Sequence, residues 1–114
     1  MRAIELKTLR DRVRLNGKME ELPPFSYRNN ILGIIARNPA DLIGIARIRE
    51  LDRLYAPFEA AKDGDVVNLE DADYKVLMGL LDELQMEGYN RYLVRLVDDL
   101  EAAPKLKKGD NDGA

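Results

Sequence analysis

Two periodicities divide this chain. In the first stretch, Ile4 and Leu6 alternate with charged neighbours, and Val13 and Leu15 alternate with Arg12 and Arg14. A period of two marks a strand with one face turned inward. Asn16-Gly17 follows, and both residues tolerate the positive φ that a two-residue hairpin turn needs. The pattern predicts short strands over roughly 2–22, with a hairpin at Asn16-Gly17. The alternative is one helix over 2–15, carrying Leu6, Leu9 and Val13 on one face and stopped by Asn16-Gly17.

Beyond Pro23-Pro24, which favour extended backbone and cannot donate to a ladder, the spacing changes to three and four. Ser26 is a good N-cap, so a helix is expected over 27–37, with Tyr27, Ile31, Ile34 and Ile35 inward and Asn38-Pro39 as its stop. A second helix is expected to begin near 39–41 and to carry Ile45, Ile48, Leu51, Leu54, Tyr55 and Phe58, with Pro57 ending or kinking it. Val66 to Leu69 reads as extended. A third helix over 70–86, capped by Asn68, presents Tyr74, Leu77, Met78, Leu81 and Leu84. A fourth over 89–103 presents Tyr89, Tyr92, Leu93, Leu96, Val97 and Leu100. The short link through Glu87-Gly88 predicts that these two form an antiparallel helical hairpin. The expected fold class is therefore mainly α: about four amphipathic helices and an N-terminal β-hairpin arm. Residues 1–104 form one domain, and 105–114 a disordered tail.

Composition narrows the chemistry more than the fold. The chain has 114 residues, 46% apolar and 34% charged, enough for one domain with its own core. It has no cysteine and no histidine. Those absences remove disulfides, thiolates, ordinary zinc sites and the commonest general base near neutral pH. Ser26 and Thr8 are the only hydroxyl residues besides tyrosine. No catalytic residue, metal ligand or cofactor is expected. Asp63, Asp65, Asn68, Glu70, Asp71 and Asp73 crowd one segment, yet the sixth and twelfth positions from Asp63 are Asn68 and Tyr74, not the Gly and Glu of a calcium loop. The adjacent acids Glu20-Glu21, Asp82-Glu83 and Asp98-Asp99 diverge on their elements and do not make an acid–base pair. No apolar run is long enough for a signal peptide or a membrane span, so the expected location is the cytoplasm.

Charge and apolar surface point to association. Residues 1–62 hold twelve Lys/Arg against eight Asp/Glu, a net of +4. Residues 63–114 hold six against thirteen, a net of −7. Such polarity suits intramolecular packing or head-to-tail contact between copies. The second helix is apolar on more than one stripe, which places it centrally in the core or makes part of it an interface; the candidate interface is Leu42, Ile45, Ile48 and Leu51. An alternative is a DNA-contacting regulator, with a helix-turn-helix outline around Arg37 and Arg47, Arg49 and Arg53 on the second helix. Glu50 and Asp52 dilute that charge, and the overall net of −3 disfavours it. Gly33 and Gly44, inside the expected helices, suggest close approach of neighbouring backbone.

The run Arg12-Val13-Arg14-Leu15-Asn16-Gly17, then Glu21-Leu22-Pro23-Pro24-Phe25-Ser26-Tyr27-Arg28, and later Leu69-Glu70-Asp71-Ala72-Asp73, resembles small proteins encoded in tailed-phage and prophage gene clusters. The resemblance implies an accessory protein of phage assembly or of the phage–host interaction, acting in the host cytoplasm. It carries no site residues. Together these features lead to the expectation of a non-enzymatic interaction module that binds a protein partner or a second copy. Nucleic acid, membrane and small-molecule substrates are not expected.

Overall fold

The computed structural model describes residues 1–37, 43–84 and 88–105. Its strands are β1 (Arg2–Glu5), β2 (Thr8–Leu9), β3 (Arg12–Leu15), β4 (Lys18–Glu21), β5 (Phe25–Ser26) and β6 (Val66–Leu69). Its helices are α1 (Tyr27–Ile35), α2 (Ile45–Ala60), α3 (Asp71–Asp82) and α4 (Arg91–Glu101). The expectation of a mainly α protein is wrong. The fold is mixed α/β: the described residues are 49% helical and 22% strand, with three two-stranded antiparallel sheets among them.

The excess strand comes from pairings that local periodicity does not reveal. β1 does not fold back on its neighbour but pairs with β6, Arg2 opposite Leu69 and Glu5 opposite Val66. β2 pairs with β5, Thr8 opposite Ser26. Only β3 and β4 form the expected local hairpin, with Asn16 at φ 51° and Gly17 at φ 80° in its turn. Two consecutive positive φ values twist the chain in the sense the strands require. Ile4, Leu6 and Leu9 from the N-terminal strands are buried, packed with Tyr27, Ile31, Leu54, Phe58, Leu77, Leu96 and Leu100.

The helices follow their apolar spacing, with shifted ends, except that Tyr89, expected on the fourth stripe, precedes α4 and is 84% exposed. α1 buries Tyr27, Ile31 and Ile35, and the Ser26 hydroxyl accepts from the Asn29 amide as its N-cap. α2 continues through Pro57 to Ala60, not stopping there. Proline removes one intrahelical hydrogen bond, but Leu54 and Phe58 on either side are fully buried and hold the turn. Arg28 of α1 adds a second restraint. Its Nε donates to the carbonyls of Phe58 (3.1 Å) and Ala61 (2.7 Å), and Nη2 donates to that of Glu59 (3.0 Å). A guanidinium thus caps the carbonyl end of α2, where the helix dipole favours a cation. α3 begins after Glu70; Asn68, the expected cap, lies in β6. α4 is capped by Asn90, whose side chain accepts from the Tyr92 and Leu93 amides. The Tyr74 hydroxyl, in the first turn of α3, donates to the Leu100 carbonyl in the last turn of α4 (2.6 Å). Of the expected disordered tail 105–114, Lys105 is instead placed by its bridge to Arg2; the rest of that tail and the expected helix start at 39–41 lie outside the described residues. A Cβ built at Gly33 or Gly44 meets nothing within 4 Å, so close backbone approach does not explain these glycines.

Candidate interaction surface

α2 turns two characters to its surroundings. Its C-terminal half is core: Leu54 and Phe58 are fully buried. Its N-terminal half is not. Ile45 is 62% exposed, Ile48 47% and the preceding Ile43 39%. Ile45 and Ile48 are three apart and so neighbours on one flank of the helix. Leu51, one turn further on, is half-buried against the core edge. Of the four sequence-based interface residues, Ile45 and Ile48 lie open, Leu51 forms the inner margin, and Leu42 lies outside the described residues. Leaving branched aliphatic side chains in water forgoes roughly 1.5–3 kcal/mol each relative to burial, which makes a run of them a surface that gains from being covered.

The arginines of the DNA-contact alternative do not converge. Arg47 Nη1 lies 3.1 Å from Glu50 Oε1 on the same helix, and Arg53 Nε lies 3.2 Å from Asp73 Oδ1 on α3. Arg49 is exposed but stands about 160° around the helix from Arg47, at 100° per residue. Arg47 and Arg53 are thus neutralised by carboxylates, and the three do not form one phosphate-facing stripe.

A cleft of about 240 Å³ opens beside β1, lined among others by Glu5, Lys7, Tyr27, Asp99, Ala102 and Pro104. It holds a polar trio that no spacing along the chain brings together. The Tyr27 hydroxyl donates to Asp99 Oδ2 at 2.5 Å, and Lys7 Nζ sits 3.6 Å from the same oxygen. Burial and the adjacent carboxylate push the Tyr27 phenol well above its usual pKa. It therefore remains a proton donor through the neutral and mildly alkaline range, and the carboxylate that would act as a base is occupied by it and by lysine. The trio ties the β1–β2 link, α1 and α4 together. Among the described residues no cluster of acids has the arrangement of a metal site, and no helix is long and apolar enough to cross a membrane.

A second open feature is the outer edge of β6. β1 is covered on both sides: β6 pairs along one edge, while Ala3 N donates to the Pro104 carbonyl (3.0 Å) and Arg2 bridges Lys105 along the other. Among the described residues β6 has a partner on one side only. Along its outer edge runs a groove of about 430 Å³ lined by Pro57, Ala60, Ala61, Asp65, Val66, Val67 and Asn68. Val66 to Leu69 reads as extended in the sequence, but nothing there says which edge of the strand is free. Set against models of protein families, curated proteins and solved structures, the chain matches none.

Proposed function

We propose that this protein is a protein-interaction module, with the N-terminal half of α2 as its principal contact surface. The observation that carries this reading is the exposure of Ile43, Ile45 and Ile48 next to a well-filled core. The chain has enough buried apolar side chains to fold without them, so their aliphatic surface is available to a partner. A flat aliphatic patch at the end of a helix suits another apolar protein surface better than a small polar ligand. The resemblance to small proteins of tailed-phage gene clusters favours a role in assembly or in contact with a host protein.

The test is a paired comparison. Ile45→Glu with Ile48→Glu should leave the thermal midpoint within a few degrees of the parent, because both side chains are already in water. The same variant should lose the proteins that the parent retains from a host lysate, while Val94→Glu, on the exposed flank of α4, should keep them. Retention of the same proteins by the α2 variant would sink this assignment.

A further inference from the structure

We propose that the free edge of β6 receives a strand from a second copy of this chain, β3 of its hairpin, so that copies associate head to tail. The inference does not depend on the α2 surface.

The ladder fixes which backbone groups are free. Leu6 N donates to the Asp65 carbonyl, and the register continues as Ile4 opposite Val67 and Arg2 opposite Leu69. Antiparallel pairs alternate between bonded and non-bonded positions, so the N–H and C=O groups of Val66 and Asn68 point away from β1. They face the groove, and no hydrogen-bond partner occupies them among the described residues. In the hairpin, the two-residue turn makes Leu15 and Lys18 a bonded pair, and Leu22 N donates to the Asp11 carbonyl. The backbone groups of Arg12 and Arg14 therefore point outward from β3. Asp11 Oδ1 accepts from the Arg12 amide, and the remaining three groups have no hydrogen-bond partner among the described residues.

Joining the two edges antiparallel, with Arg14 opposite Val66 and Arg12 opposite Asn68, matches outward groups to outward groups. Residues directly opposite share a face. Val13 then lies beside Val67, on the inner side, over the small side chains of Pro57, Ala60 and Ala61. Both arginines lie on the outer face with the exposed Val66 and Asn68. In the same register Arg10 stands opposite Glu70. Segment 59–71 carries five acids and one lysine, and 10–18 carries four cations and one acid. This complementarity selects β3 over the symmetric alternative, β6 against β6, which would bring two acidic segments together.

The experiment is the solution mass of the full chain by sedimentation equilibrium, over a wide concentration range, in about 50 mM and about 500 mM salt. Association is expected at low salt and should weaken several-fold at high salt. Val66→Pro removes only an outward amide and should abolish it. Arg12→Glu with Arg14→Glu, in a hairpin that does not support the core, should also abolish it. An equimolar mixture of these two variants should form a one-to-one pair, because one retains the donor hairpin and the other the acceptor edge. A monomer at all concentrations in low salt overturns the proposal. So does association that strengthens with salt, which would indicate β6 against β6, or association unchanged by the double arginine variant. Association of Ile45→Glu with Ile48→Glu should equal that of the parent; its loss would transfer the contact to α2.

Discussion

β1 and β3 are both four-residue strands, six residues apart, each with charged and apolar positions in alternation. One is interior and the other is almost bare. Ile4, and Leu6 just beyond β1, are at most 2% exposed, whereas Leu15 at the end of β3 is 49% exposed and β4 is exposed throughout. The difference lies in the partner. β3 is held by a neighbour two residues away, through a turn that needs nothing else from the fold. β1 is held by β6, more than sixty residues later, and on its other side by Pro104 and Lys105. A local pair costs little chain entropy and buries little; a distant pair costs more and is repaid only by burial.

Truncating the two strands should separate them most sharply. Leu6→Ala removes a fully buried side chain and should destabilise by about 2–5 kcal/mol in denaturant unfolding. A loss under about 1 kcal/mol would show that the N-terminal strands do not belong to the core. Arg28→Ala should cost about 1–3 kcal/mol, since it leaves the three carbonyls at the end of α2 without their charged donor. Glu59 to Ala61 should then exchange amide hydrogens faster than the rest of α2; unchanged protection there would reject the capping role. Gly17→Ala should cost about 1 kcal/mol, because φ 80° suits glycine, and the loss should be confined to faster exchange at Lys18 to Glu21. If the whole molecule loosens instead, the hairpin is coupled to the core after all. Leu15→Ala should change stability by less than about 0.5 kcal/mol, the smallest effect of the set.

Alkali offers a further contrast. The Tyr27 phenol binds its proton more tightly folded than unfolded. Its contribution is therefore fully present below pH 10 and is lost as pH rises through the raised folded value. Unfolding free energy should fall above pH 10 in the parent and fall less steeply in Tyr27→Phe. Equal slopes would mean that Tyr27 is not held by Asp99 in solution.

The hairpin was legible in the sequence because its information is local: alternation on both sides of Asn16-Gly17. The helical stripes were legible for the same reason, down to the Ser26 cap. What misled the mainly α expectation was Val66–Leu69. It was recognised as extended but had no visible partner, and nothing in four residues names a strand at the opposite end of the chain. Ile45 and Ile48 illustrate a similar limit. The spacing shows that α2 is apolar on several flanks, but which flank faces the core depends on how α1 and α3 pack against it. Asp99 was one of three adjacent acid pairs on equal terms; only folding brings Lys7 and Tyr27 to its carboxylate.

The pairing of β1 with β6 also sets an order in time. During synthesis at about 5–20 residues per second, β1 is made first, and β6 follows only after about 3–12 s. Leu96 and Leu100, which share its core, come later still. Through that interval Ile4 and Leu6 lack the cover of β6, α3 and α4, while the hairpin closes in microseconds. The growing chain is therefore most prone to misassociation before its last third exists, and a protein ending short of α4 would display those residues permanently.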